Sequence, residues 1–168
     1  LLTSDTLKYN TFSKIATILG PSNIVSDNNH IYSERGFYNT LSEQAELLDR
    51  SILTNEGKKL IGDSLFYDRK VGYGEAFDNI RMTDTINKNM LTGDYCFYNE
   101  LTDSAFATKR AVAIDYSQGD SLFMHGDTLQ LISYNLNTDS VFRLMKAYHK
   151  VRMYRTDVQG VCDSLVYN

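Results

Sequence analysis

The sequence predicts an all-β protein built from stacked units of two strands each, and two observations carry that prediction. A seven-residue phrase, clearest as Gly62, Asp63, Ser64, Leu65, Phe66, Tyr67 and Asp68, returns six times, at residues 4–10, 33–39, 62–68, 93–99, 126–132 and 162–168. Its acidic second position falls at Asp5, Glu34, Asp63, Asp94, Asp127 and Asp163, at intervals of 29, 29, 31, 33 and 36 residues. A period of that length marks a stack of like units. The 168 residues also include 12 Tyr and 8 Phe among many Val, Ile and Thr, broken repeatedly by Asn, Asp, Gly and Ser, a composition that suits strands separated by turns.

The phrase supplies the first strand of each unit. It carries apolar side chains two residues apart, as Leu7 with Tyr9, Leu65 with Tyr67, Cys96 with Tyr98, Leu129 with Leu131, and Leu165 with Tyr167. Residues two apart on a strand share a face, so each pair points inward together. At the second copy Tyr38 is kept but its partner is Gly36, an empty inward position that predicts a bend or a bulge. The second strand of each unit centres on Ile24, Ile52, Ile80, Val112 and Val151, with alternation in Ile80, Arg81, Met82, in Val112, Ala113, Ile114 and in Val151, Arg152, Met153. A strand pair of this kind cannot bury its face alone and needs neighbours on both sides. Residues 41–48 include the helix formers Glu43, Gln44, Ala45 and Glu46, but they stand where other units start their second strand and are predicted as strand. An Asn- and Asp-rich insertion over residues 133–140 lengthens the last full unit.

A chain of this length with 42% apolar residues supports one domain with a real core. Pro21 is the single proline and no stretch reads as a linker, so residues 1–168 are predicted as one domain. The chain starts at Leu1 inside a first phrase and ends on the last residue of another, and it is expected to be a piece of a longer repeat array. No apolar run has the length of a membrane helix, and no signal-peptide pattern is present in these residues.

Charge and motif content narrow the function classes. The net charge of −4 argues against nucleic acid as a partner. The one basic cluster, Lys146, His149, Lys150, Arg152 and Arg155, reads as a solvated outer surface, with an anionic headgroup as the other reading. Cys96 occupies an inward position and reads as a small buried hydrophobe rather than half of a disulfide with Cys162. The histidines His30, His125 and His149 have no metal-ligand spacing, and no nucleophile elbow, phosphate loop or dinucleotide fingerprint occurs. No catalytic residue, metal or cofactor is therefore predicted. The segment His125, Gly126, Asp127 is expected to be a hairpin turn, and the six recurrent acids are expected to be structural, serving backbone donors or keeping edges soluble.

The couplet of residues 62–68 with 75–82, repeated as 93–99 with 111–115 and 127–132 with 147–154, resembles the OstA/LptA family of lipopolysaccharide transport proteins, and the closing stretch 151–157 with 162–165 is similar to OstA-like proteins of the Bacteroidetes branch. The resemblance implies a β-jellyroll of two facing antiparallel sheets, open-ended, that holds lipopolysaccharide acyl chains between them. It also implies a periplasmic protein, exported by a signal outside these residues, that stacks through its edge strands on other lipopolysaccharide transport proteins or on copies of itself. The candidate groove lining is Leu65, Tyr67, Ile80, Met82, Cys96, Tyr98, Val112, Ile114, Leu129, Leu131, Val151 and Met153. The same alternation is compatible with a β-solenoid-like scaffold or cell-surface domain whose core is closed and carries no lipid. A carbohydrate-active enzyme would need clustered carboxylates, and here they are dispersed.

Overall fold

Each long strand of the molecule is bent once and spends half its length in each of two sheets. The structure, a computed structural model, describes residues 1–26 and 29–167; Asn168, which closes the sixth phrase, lies outside them. Among the described residues every regular element is a strand: β1 (Leu2–Ser4), β2 (Leu7–Asn10), β3 (Ile15–Ile18), β4 (Ser22–Ser26), β5 (Asn29–Ser33), β6 (Arg35–Asn39), β7 (Gln44–Leu48), β8 (Ser51–Asn55) and β9 (Lys58–Gly62), followed by β10 (Ser64–Asp68), β11 (Tyr73–Asp84), β12 (Asn89–Asn99), β13 (Ser104–Thr108), β14 (Val112–Asp115), β15 (Leu122–His125), β16 (Thr128–Tyr134), β17 (Phe142–Arg155) and β18 (Val158–Tyr167). Of the segment 41–48, Gln44–Leu48 is a strand, β7, while residues 41–43, including Glu43, form the turn before it.

All pairings are antiparallel. The first sheet runs β1, β4, β5, β8, β9, the C-terminal half of β11, the N-terminal half of β12, β14, β15, and then the facing halves of β17 and β18. The second runs β2, β3, β6, β7, β10, then the other halves of β11 and β12, then β13, β16 and the remaining halves of β17 and β18. One apolar cluster contains residues of both sheets, including Ile24, Ile31 and Ile80 from the first and Leu47, Leu65 and Leu129 from the second. The inner faces therefore pack on each other, as expected of the two-sheet jellyroll.

The corner between the sheets explains the recurrent acid. At the third to sixth phrases the strand turns at the acidic residue, and a neighbouring strand turns at a pair of residues in the left-handed region: Asp78 and Asn79 (φ 55° and 49°), Lys109 and Arg110 (58° and 58°), His149 and Lys150 (60° and 53°). The acid's backbone N–H donates into this kink, from Asp63 to Phe77 O (3.1 Å), from Asp94 to Lys109 O (2.9 Å) and from Asp127 to His149 O (3.0 Å). Its carboxylate pairs across the same seam: Asp63 with Arg50 (3.0 Å) and Asn79 (2.6 Å), Asp94 with Arg110 (2.6 Å), Asp127 with Lys150 (3.6 Å) and Asp163 with His149 (3.5 Å). Each acid thus links a tight corner to its neighbour. These pairs are solvent-exposed and individually weak; their backbone bonds carry the geometry.

This arrangement corrects the reading of residues 125–127. Gly126 and Asp127 lie between β15 and β16, but β15 pairs with β14 and β17 while β16 pairs with β13 and β17. A hairpin requires its two arms to pair, so this is a corner, not a hairpin. The hairpin turns lie at the opposite ends of the strands. There the last residue of each phrase caps the turn: Asn10, Asn39, Asp68 and Asn99 each accept from two backbone N–H groups that follow, the Asx-type chemistry that fixes tight turns. The fifth phrase ends in Ile132, which cannot cap, and here β16 runs on to Tyr134 before the insertion and stacks on Phe142 (ring centroids 5.1 Å).

The basic cluster does not form a patch. Lys150 and His149 serve the seam, and Arg155 pairs with Asp157 (2.5 Å). Gly36 marks neither a bend nor a bulge: a Cβ there would stand 2.5 Å from Glu46 O and 3.0 Å from Leu47 Cα, so the glycine lets β6 and β7 approach. Gly36→Val is expected to lower stability by about 1–3 kcal/mol through overpacking, measured by denaturant unfolding.

Candidate functional site

The two inner faces build a trough with a packed floor and a looser mouth. Near the corners of the second sheet, the register aligns Ile18, Gly36, Leu47, Leu65, Ala76, Cys96, Ala107, Leu129 and Ala147 across successive strands. Large and small side chains are combined in the row, and the named residues are buried. One step toward the turns, a second row aligns Tyr38, Ala45, Tyr67, Gly74, Tyr98, Ala105, Leu131, Met145 and Tyr167. The phrase strands bring the tyrosines, and the strands between bring small residues that leave space beside the rings. Opposite them, the first sheet presents Leu53, Leu60, Met82, Leu91, Ala113, Met124 and Met153 in one row.

Between these mouth-side rows lie cavities of about 310 and 150 Å³. Leu53, Leu60, Tyr67, Met82 and Tyr98 line the larger, and Met82, Tyr98, Met124, Leu131, Met145 and Tyr167 the smaller. A third space of about 40 Å³ adjoins at Met82, Leu131 and Met145. Burial pushes the Tyr67 hydroxyl pKa up to about 12, aided by Glu100, whose Oε1 accepts its hydrogen bond at 3.2 Å. Tyr67 thus remains neutral, with its ring among apolar groups and its hydroxyl on Glu100.

The twelve predicted residues separate by depth. Tyr67, Met82, Tyr98 and Leu131 line the cavities. Leu65, Ile80, Cys96, Leu129 and Val151 point inward but lie in the packed floor at 1–3% exposure. Met153 sits beside Met124 in register and is half-buried. Val112 and Ile114 face the other way, a correction to their expected inward position. They pair with Thr92, His125, Met90 and Phe123, while Ala111 before them and Ala113 between them are buried; Ile114 still borders the smaller cavity beside Ala113. The reason is the kink: the inward residue is the first after the left-handed pair, which is Ile80, Ala111 and Val151. Aligning Val112 with Ile80 places β14 one residue out of phase, and a one-residue slip reverses every side chain. Ile52 is displaced in the same way, since Ser51, at 0% exposure, holds the inward place.

Sequence reasoning missed the polar group at the mouth. Asp103, in the turn after β12, has a side chain only 14% exposed. Its Oδ2 accepts from Ser133 Oγ (2.7 Å) and Arg143 Nη2 (2.8 Å), and its Oδ1 accepts from Tyr98 Oη (3.0 Å). Lys58, which the first sheet contributes, reaches across to Asp103 Oδ1 (3.6 Å) and Tyr98 Oη (3.4 Å), with its ammonium 5.3 Å from the Tyr98 ring centre. Burial opposes ionisation of Asp103, but the Ser133 and Arg143 hydrogen bonds and the Arg143 and Lys58 charges outweigh it and hold its pKa near 2. These residues come from β9, β12, β16, β17 and a turn, so no local motif announces them.

A repeat-built two-sheet jellyroll with an apolar trough, open between its sheets at the turn side, is the class of protein that the geometry defines. Residues 1–63 match the family model described as OstA-like protein. Among solved structures, the crystal structure of LptH, the LptA-homologous periplasmic component of the conserved lipopolysaccharide transport device of Pseudomonas aeruginosa, is similar in fold, with a TM-score of 0.52, 15% identity, and coverage of 66% of this chain and 74% of that one. No curated protein matches. The family match lies over the first repeats, and the shared fold extends over 66% of the chain.

Two measurements check this site. Because the folded pKa of Asp103 is depressed from 3.8 to about 2, its stabilisation is present above pH 4 and is lost as pH falls through 2. Asp103→Asn is therefore expected to be less stable than the parent chain near neutrality by up to about 2 kcal/mol, with the difference vanishing by pH 2 in thermal unfolding. Cys96 is buried and its thiol pKa is pushed up to about 12 by burial, while Cys162 is exposed. A thiol reagent at pH 8 is expected to label Cys162 in the native protein and Cys96 only on unfolding, read by mass spectrometry.

Proposed function

We propose that this chain is a periplasmic lipopolysaccharide-binding and transport module that shelters acyl chains in the mouth-side trough and passes them along it. The observation that carries this reading is the set of apolar cavities between the sheets, lined by Tyr67, Met82, Tyr98, Leu131 and Met145. Removing an acyl chain from water gains roughly 0.8 kcal/mol per CH₂, and near-equivalent rows along the stack let a chain shift from one site to the next without covalent chemistry. The similarity to LptH, a periplasmic component of a lipopolysaccharide transport device, supports both cargo and compartment.

Bridge formation follows from the sheet ends. Among the described residues, β1 pairs only with β4 and β2 only with β3 at one end, and β18 pairs only with β17 at the other. A strand of another transport protein or of a second copy can be added at an edge of this kind. The closed-core scaffold reading draws on the solid floor of Leu65, Cys96 and Leu129, but it leaves the cavities above that floor without a role.

Photo-crosslinking tests the cargo. A probe replacing Tyr67 or Met82 is expected to capture labelled lipopolysaccharide, and one at Phe66, whose ring packs outside against Tyr73 (6.5 Å), is not; no labelling at any site would sink the transport reading. Light scattering over a concentration series is expected to show end-to-end growth, and a strictly monomeric chain throughout would count against the bridge.

A further inference from the structure

The mouth of the trough is crossed by the charged group that ties Lys58 of the first sheet to Tyr98 and Asp103 of the second. The two main cavities share three wall residues, Lys58, Met82 and Tyr98. Two of the three are held together by this group, with Asp103 on Lys58 at 3.6 Å and Tyr98 on Asp103 at 3.0 Å. Arg143 and Ser133 fix Asp103 from the far side, so the partition rests on a braced support. Its charges are partly withdrawn from water, with side-chain exposures of 34% for Lys58 and 14% for Asp103, and salt screens such a pair less than a surface one.

We propose that Lys58 and Asp103 form a latch that sets the acyl capacity of the trough. Closed, the latch keeps two separate chambers, each suited to a single chain. Released, it lets Lys58 swing to solvent and leaves the thioether of Met82, a flexible and adaptable side chain, as the remaining partition, so that the chambers merge and accept a cargo with several chains. This inference rests on the lipid-binding reading above and deepens it by naming the residues that select cargo by its number of chains. Neither residue is required to touch the lipid chemically; both act as gating residues through the partition they hold between the chambers.

The test locks and unlocks the latch in the whole chain. A carbodiimide joins an ammonium and a carboxylate in contact as an amide, so treatment of the parent protein is expected to yield a Lys58–Asp103 crosslink, mapped by mass spectrometry. Lys58→Arg keeps the ion pair but forms no amide, and it carries every other coupling the reagent makes. The crosslinked parent is expected to bind a single-chain lysolipid within about twofold of the untreated protein, while its affinity for lipopolysaccharide falls at least about tenfold; treated Lys58→Arg keeps both affinities. The double variant Lys58→Met with Asp103→Asn, with folding verified by circular dichroism, is expected to bind lipopolysaccharide several-fold more tightly and the lysolipid unchanged. Undiminished lipopolysaccharide binding by the crosslinked chain overturns the latch and leaves the transport reading intact. Failure of the untreated chain to bind either lipid overturns both.

Discussion

Everything in this fold depends on bending each long strand once, at a fixed place, so that one half lies in each sheet. Antiparallel strands bend only if their neighbours bend with them, because the hydrogen-bond ladder is continuous across the corner. The molecule meets that requirement with two complementary corners in alternation. The phrase strand turns at an acid, its neighbour turns at two left-handed residues, and the acid bonds the corners on its two sides, as Asp63 does with Phe77, Asp78 and Asn79 on one side and Arg50 on the other. Non-glycine residues in the left-handed region carry a conformational cost, and the seam offsets it locally, unit by unit.

The corner also sets the chemistry of the interior. Beside it the space between the sheets is narrow, and the row of Leu65, Cys96 and Leu129 with small neighbours such as Ala76 and Ala107 fills it completely. Farther out tyrosines replace leucines, and Ala45, Gly74 and Ala105 beside Tyr38, Tyr67 and Tyr98 leave room. In the N-terminal half the corner is lined instead by Ser22, Ser33 and Ser51, all buried and hydrogen-bonded, with Ser33 and Ser51 joined at 2.8 Å. Polar groups are tolerated there because each hydroxyl bonds a nearby hydroxyl or carbonyl. The greasy part of the trough is therefore concentrated in the middle and C-terminal units.

Much of this was legible in the chain. The spacing of the acids located the corners, although their role as seam residues was not evident. The residues two and four places after the acid point inward in the middle units, as Leu65 and Tyr67 do, because between the corner and the turn nothing disturbs a period of two, whereas Leu7 and Tyr9 of the first phrase are exposed. The same logic failed at Val112 and Ile114, since two left-handed residues interrupt the alternation and the count restarts at the next residue, Ala111. It failed at residues 125–127 as well: a glycine followed by an acid reads as a hairpin, and only the pairing partners of β15 and β16 reveal a corner. The seventh phrase position was a usable signal left unread, because Asn10, Asn39, Asp68 and Asn99 cap the turns and Ile132, the exception, stands where the turn is replaced by a longer arm.

By itself the sequence determined the repeat, the all-β class and the inward stripe of each phrase strand. These are local properties, set by backbone periodicity and by side chains a few residues apart. Only the tertiary structure decided that the interior is packed at its floor and open at its mouth, and that Lys58, Tyr98, Asp103, Ser133 and Arg143 meet across that mouth. Cavity volume depends on how far two sheets stand apart, and an ion pair depends on residues brought together from opposite sheets; neither is encoded in any stretch short enough to show a period.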